Sequence, residues 1–412
     1  MGPSSRRLTW YCLASSNAPV PELASVTLIL AATPASGYIP GGLNPTYEDL
    51  KLMIKPYTAV GLIPTMWGAR ARDDIEHNLE HISRLMVAAS WLSSLDLPVR
   101  LVAIPEGSLQ GFNDEVLDLD HVEYARNIAI DVPGPETRYL GDLARRWNVY
   151  IMAQAKARHE AFPDRFFNMG FVIDPQGEVI LKHYKLATLY PVEHSVTPHD
   201  VWDRWIELYG RKLEAFYPVV DTPIGRLGVM MANEGSYPEN ARGLAMNGCE
   251  VVYRASYPHP HTGNELFEVQ NRARALDNNF YVVAPNVGTY YLSPEEKTPI
   301  DTFGGRSMVI DHKGRIVGQH LYSGGSSYVA GTVDVEGLRD FRTRALHDNW
   351  MKDLRTEVYQ LIYERPIYPK NLYLDRVPYK HAEYRREVID RQIQELQDAG
   401  IWARPSDTSP RE

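Results

Sequence analysis

The sequence predicts an α/β protein, and three observations carry that expectation. Short apolar runs of strand length alternate with segments of helical spacing, which is how a layered α/β domain opens. Two similar hairpin-like stretches, Phe171 to Ile180 and Met308 to Val317, lie in the two halves of the chain. Composition is ordinary for a globular protein, with 44% hydrophobic and 23% charged residues among 412. That excludes disordered, collagenous and solenoid classes.

Each element follows from its own signal. Residues 1–54 carry scattered Pro, Gly and Ser without periodicity and read as an N-terminal arm or extension. Ala59 to Ile63 reads as a buried strand. Ile75, Leu79, Ile82, Met86 and Ala89 then recur at helical spacing behind Asp73 and Asp74, acids that the helix dipole favours at its start. Leu101 to Ile104 is a second buried strand ending at Pro105-Glu106. Thr137 to Trp147 reads as a helix and Val149 to Ala155 as a strand. The first hairpin follows, with Pro175 and Gly177 in its turn. A strand (Leu227 to Met231), a helix from about Glu239, a strand (Glu250 to Tyr253), a helix ending near Leu276 and a strand (Phe280 to Ala284) lead to the second hairpin. The paired hairpins predict pseudo-symmetric layers, not tandem repeats. Beyond about residue 340 the chain turns polar. There Ile389, Ile393 and Leu396 form a narrow apolar stripe closed by Gly400, the mark of a terminal helix that packs on a neighbour. The expected organisation is one catalytic-size domain over 55–340, with a C-terminal extension over 341–412.

Charge and cysteine usage exclude several functions. A formal net charge of −9 leaves no broad basic field for a phosphate backbone, so no nucleic-acid partner is expected. Two cysteines, Cys12 and Cys249, cannot build a disulfide framework or a Cys-rich zinc site and suggest a reducing compartment. No apolar run reaches the ~18–20 residues that cross a bilayer. Leu23 to Ala32 behind Arg6-Arg7 faintly resembles a secretory signal, but Pro19 and Pro21 interrupt it. The expectation is a soluble cytoplasmic protein without a membrane partner. No Gly-rich phosphate loop implies a nucleotide cofactor. His194, His199, His259 and His261 read as polar loop histidines rather than metal ligands.

Four places offer chemistry. Glu106 follows a buried apolar strand, where partial desolvation raises a carboxyl pKa and suits a general base; taken alone, a solvated loop acid is the more ordinary reading. Lys185 closes the first hairpin, where an ammonium can stabilise an oxyanion, although most lysines are surface charges. Glu193 lies eight positions further on. Leu227 to Glu239 runs from strand through a sharp turn into a helix, the architecture that exposes a nucleophile. Yet the turn residue, Ala232, has no reactive atom, and Ser236 lacks a Gly-x-Ser-x-Gly context and reads as a helix cap.

Together these places resemble the nitrilase superfamily of carbon–nitrogen hydrolases, most closely its aliphatic amidase and formamidase branch. The family's Pro-Glu followed by Gly is matched by Pro105-Glu106 and Gly111. Its lysine hairpin, Asp-x-x-Gly-Glu-x-x-x-Lys-x-x-Lys, is matched by Asp174, Gly177, Glu178, Lys182 and Lys185. The amidase branch's second glutamate is matched by Pro191-Val192-Glu193, a spacing that favours amidase over nitrilase. Its nucleophile motif, Cys-Asp-Asp-Gly-Asn-Tyr-Pro-Glu, is matched by Ala232 through Glu239, with Gly235, Tyr237, Pro238 and Glu239 fixing the register. Arg158-His159-Glu160, Asn168, Ala245-Met246, Gly248 and Arg272 to Asn278 match as well. The resemblance spans about residues 57–335, and Ala232 occupies the cysteine's place. Cys249 stands where the family has a small core residue and does not replace it. Retention of every other catalytic position points to deliberate replacement of the cysteine, ahead of a natural non-catalytic relative or a shifted register.

The resemblance implies an αββα sandwich and a Glu-Lys-Cys mechanism with Glu106 as base, Lys185 and a backbone N–H near Asn233 holding the oxyanion, and Glu193 orienting. It implies a small-molecule amide substrate, no metal or organic cofactor, and a homo-oligomer. Leu189, four positions after the lysine, and Gly107 stand where the branch has aromatic residues, so a roomier acyl pocket is expected. Alternatives are an N-carbamoyl (ureido) hydrolase, a nitrilase, or a non-catalytic binding or scaffold protein, for which Ala232 itself is the support. As written, with alanine at 232, the chain is expected to be inactive.

Overall fold

In the computed structural model, which describes residues 53–189, 192–255 and 265–406, the layers begin at strand β1 (Tyr57–Ile63), buried along its whole length. Helix α1 (Ile75–Ser93), β2 (Val99–Ala103), α2 (Pro135–Trp147), β3 (Tyr150–Arg158), β4 (Phe166–Ile173) and β5 (Val179–Tyr184) complete the first half. The second half runs β6 (Val219–Thr222), β7 (Gly225–Met230), α3 (Pro238–Met246), β8 (Val251–Arg254), α4 (Leu266–Asn278), β9 (Tyr281–Ala284), β10 (Ser307–Ile310) and β11 (Ile316–His320). Strand β12 (Ser327–Val333) then returns to pair antiparallel with β1, and α5 (Val335–Arg344) follows.

The two six-stranded sheets have the orders β12-β1-β2-β3-β4-β5 and β11-β10-β9-β8-β7-β6. In each, three parallel strands (β1, β2, β3; β7, β8, β9) pass into an antiparallel hairpin (β4–β5; β10–β11). The two similar hairpins in the sequence are therefore equivalent edges of two equivalent sheets. Gly177, at φ +85°, makes the first of their turns.

Strand alternation sorts the side chains into four layers. Val60 and Leu62 of β1 face outward with Ile75, Leu79, Ile82 and Met86 of α1 and Leu140 of α2. Tyr57 and Ala59, one residue out of phase, face inward with Leu227 and Val229 of β7 and Val283 of β9. On the far side, Val252 and Val282 meet Leu244 of α3 and Phe267 and Ala275 of α4. The result is an αββα sandwich. Burying one such large apolar side chain contributes roughly 1.5–3 kcal/mol relative to exposure, which is why strands covered on both faces read as unbroken apolar runs.

Most element ends differ from the sequence reading by one to three residues, as frayed termini do. Strand β12 and a short sheet made of Met66–Trp67, Thr289–Tyr291 and Asp301–Thr302 were not foreseen. In the C-terminal segment the stripe shifts by a residue. Tyr384 and Val388 are buried against Phe162, Phe167 and Trp205, with Ile389 partly buried beside them. Ile393 is exposed. The Arg165 guanidinium anchors this segment by donating to the carbonyls of Tyr373, Leu374 and Arg376 at 3.1, 3.0 and 3.2 Å. Residues 1–52, with Cys12 and the signal-like stretch, lie outside the described residues, as do Pro191, His259 and His261. Among the described residues no helix is long and apolar enough to cross a membrane.

Candidate active site

Strand β2 delivers Glu106 to the end of the first sheet, and the end of β5 delivers Lys185 beside it. Both side chains are almost fully buried. Lys185 Nζ donates to Glu106 Oε1 at 3.0 Å and to Glu193 Oε2 at 2.7 Å. Asn168, on buried β4, spans the same two carboxylates, donating to Glu106 Oε1 at 2.7 Å and Glu193 Oε1 at 2.9 Å. Its own Oδ1 accepts from Gln154 at 2.7 Å, and Gln154 Oε1 in turn accepts the Gly107 N–H at 2.8 Å. Glu193 accepts two further bonds, from the Ser195 hydroxyl at 2.6 Å and the Leu189 N–H at 2.8 Å.

This arrangement separates the two acids. Burial pushes the Glu106 carboxyl up, aided by the negative charge of Glu193 and opposed by Lys185. Burial also acts upward on Glu193, but Lys185 and the hydroxyl donor outweigh it and hold the carboxyl at about 2. Lys185 is raised despite its burial because two carboxylates face it. Glu106 is thus the more basic of a coupled pair, with a fixed cation between them.

The turn after β7 belongs to the second sheet. Ala232 is buried and holds φ +35°, a left-handed backbone that a residue with a Cβ seldom adopts and that surrounding structure must enforce. Arg254 of β8 supplies part of that, donating to the Ala232 carbonyl at 2.8 Å while its guanidinium lies 4.8 Å over the Phe267 ring. Gly235 is required here, since a Cβ would meet Arg254 Nε at 2.2 Å. Arg274 holds the carbonyls of Gly235 and Ser236 at 3.1 and 3.2 Å. Fully buried Glu234 accepts from the N–H groups of Met231 (2.6 Å) and Leu186 (2.7 Å) and pairs with His183 Nε2 at 2.9 Å. Asn233 Nδ2 donates to the Thr188 carbonyl at 2.8 Å. Residues 231–234 are thereby latched to residues 183–188, which brings Ala232 to the lysine loop. The Asn233 side chain is spent on that latch.

Leu189 lines a cavity of about 280 Å³ together with Phe112, Glu115, Val192, Tyr290 and Phe303. Gly107 does not enlarge it, contrary to expectation. A Cβ on Gly107, which sits at φ +79°, would lie 2.5 Å from the Phe112 ring, so that ring already fills the space. Next to the cavity lies a second buried charge cluster. Lys156 Nζ contacts both Asp114 and Glu115, the latter at 2.8 Å.

Cys249 is fully buried, and burial pushes its thiol up to about 12, which suits a core residue and not a nucleophile. His194 and His199 lie in different surroundings. His199 packs on Trp202 and Tyr368. His194 groups with Asp118 and His381, whose ligand atoms lie within 4.8 Å of one another. His194 Nε2 lies 3.0 Å from Asp118 Oδ1, and His381 Nε2 lies 3.0 Å from the Val192 carbonyl. Sequence reasoning found Glu106, Lys185 and Glu193 but gave no role to Asn168, Gln154, Ser195 or Glu234. A polar residue inside an otherwise apolar strand, as at Gln154 and Asn168, was the available signal.

The family model described as carbon-nitrogen hydrolase matches residues 62–343. Formamidases of Bacillus thuringiensis (strain Al Hakam) and Bacillus cereus (strain AH820) are each 30% identical over 222 residues, 52% of this chain and 59% of theirs. The chain thus spans 59% of the length of these relatives. Among solved structures, an amidase from Nesterenkonia sp. superposes with a TM-score of 0.54 at 16% identity, over 74% of this chain and 96% of that one. A cysteine-to-alanine mutant of the amidase from Nesterenkonia sp. AN1 in complex with butyramide matches with the same TM-score and identity, over 76% and 98%. At that identity the likeness concerns the fold.

Proposed function

Because the chain belongs to the carbon–nitrogen hydrolase family, we propose that it carries an amidase site for a small carboxamide, in a form disabled at the nucleophile. The supporting observation is the convergence of Glu106 and Glu193 on one buried lysine, with Asn168 bridging the two carboxylates, latched beside the strained turn at Ala232. A scaffold with no ligand to handle has no physical need to keep three buried charges.

With cysteine at 232 the steps are these. Glu106 takes the thiol proton as sulfur attacks the amide carbon, and the carbonyl electrons move to oxygen. The Lys185 ammonium and a backbone N–H near Asn233 hold that oxyanion. Collapse expels ammonia, which receives the proton from Glu106, and leaves a thioester. Water, deprotonated by Glu106, attacks the thioester; Glu106 returns that proton to the departing sulfur, and the carboxylic acid leaves and ionises in solution. Glu193 holds Lys185 in place and keeps a second negative charge near Glu106. With alanine at 232, the ligand binds and acyl transfer stops.

The test compares this chain with Ala232→Cys for ammonia release from amides, ureido compounds and nitriles. Turnover of amides by the variant alone is the expected result. Preference for ureido compounds or nitriles would move the chain to another branch, and no turnover of any class would leave the binding reading, which Ala232 favours. Exposed Leu346, Val358, Leu361 and Ile362 in the C-terminal segment support self-association. Sedimentation at a few concentrations should show a dimer or larger species, and a strict monomer would reject it. A cytoplasmic location is proposed as well, supported by the low cysteine count.

A further inference from the structure

Two buried lysines lie in the first half of the site, and each is shared by two carboxylates. Lys185 takes Glu106 and Glu193, and Lys156 takes Asp114 and Glu115. With every group ionised, four negative charges face two positive ones in a largely buried region. Such an excess is costly unless a proton or a bound cation offsets it. The clusters also feel one another, since the Glu115 carboxyl is raised to about 8, by burial first, against the pull of Lys156 and with the help of Asp114 and Glu193.

Of the four acids, Glu115 is the one on the cavity wall. The cavity touches the candidate reaction centre at two points. Leu189 lines it while its N–H holds Glu193, and Phe112 lines it while its ring covers Gly107, next to Glu106. The remaining wall is mainly apolar and aromatic, with Val192, Tyr290 and Phe303, and carries one further acid, Asp301. This is a slot for a short apolar chain with two acidic residues on its wall, of which Glu115 is the one tied to the buried lysines.

We propose that the acyl side of the preferred carboxamide is a short apolar chain bearing a protonated amine, recognised by Glu115. The inference rests on the amidase reading of the site. An entering ammonium supplies the missing positive charge and displaces the proton that otherwise neutralises Glu115. A neutral chain of the same length fills the slot but leaves the excess uncompensated.

The experiment uses the Ala232→Cys chain and two isosteric substrates, 4-aminobutanamide and pentanamide. An ammonium paired with a buried carboxylate is expected to favour the amine by about 10- to 100-fold in kcat/KM. Glu115→Gln should shrink that ratio by at least about tenfold. Glu115→Asp keeps the charge but withdraws it by one methylene and should give an intermediate ratio, which serves if the Gln variant does not fold. Direct calorimetry of both ligands on the Ala232 chain should show the same order of affinity. Hydrolysis of both amides without preference for the amine overturns this inference and leaves the amidase reading standing. A preference that survives Glu115→Gln assigns the recognition elsewhere and overturns it too. Failure of both compounds to bind or react overturns this inference, while the amidase reading is decided by the wider amide panel.

Discussion

Replacing Lys185 by methionine removes the cation between two buried carboxylates, and the cost depends on pH in a direction the site fixes. In the intact protein the Glu193 carboxyl is lowered from 4.5 to about 2. At about 1.36 kcal/mol per tenfold change in proton affinity, this contributes about 3 kcal/mol to stability. A folded value below the unfolded one gives stability that is full above about pH 4.5 and is lost only as pH falls through about 2. Glu106 has the opposite sign, because its raised folded value costs stability as pH rises through it. Without Lys185 both carboxyls are buried with no cation in contact, so both belong to the second kind. Breaking a buried pair on one side costs roughly 3–5 kcal/mol. In urea titrations, Lys185→Met should therefore lose about that much near pH 7.5. Between the unfolded and folded values the variant loses about 1.4 kcal/mol per pH unit for each carboxyl concerned, whereas in the parent Glu193 adds no such loss. The gap between the two proteins should consequently narrow by at least about 1.4 kcal/mol on going down to pH 5. A gap that stays constant, or widens in acid, refutes the account of the lysine as partner to ionised carboxylates.

Glu106→Gln in the Ala232→Cys background should lower kcat by about 10²- to 10⁴-fold, the range for losing a general base, and steady-state ammonia release measures it. Gly107→Ala should destabilise by about 1–3 kcal/mol, because the alanine must hold φ +79° and its methyl meets the Phe112 ring. An unchanged melting temperature would show that the ring moves aside freely.

The candidate reacting groups were more legible in the sequence than the groups that hold them. Glu106, Lys185 and Glu193 sit at fixed spacings from turns and strand ends, so one strand of text contains their signal. Asn168 and Gln154 act across strands, and their partners lie 62 and 47 residues away. Lys156 is flanked by Ala155 and Ala157 in a strand that is buried along almost its whole length, a hint that this lysine is internal. Its acidic partners lie 41 and 42 residues upstream, beyond the reach of any local spacing. Strand β12 was missed because its partner β1 lies some 270 residues earlier, and nothing near Ser327 announces that pairing. Gly107 was misjudged for a related reason. A missing side chain suggests space, but a ring five positions along the chain had already taken it.

The carboxylate of Glu234 fastens a turn at the end of one sheet to a loop leaving the other. Glu106 and Lys185 come from the first sheet and position 232 from the second, so neither half possesses a working set. A refolding chain with one sheet formed has, on this geometry, no ligand affinity, because the His183–Glu234 link spans 51 residues and closes only when the sheets dock. Contacts of that range are slow to form. A bound carboxamide would therefore leave early collapse untouched and weigh on the last step, slowing separation of the two sheets. Ligand protection then becomes a clock for when the halves meet.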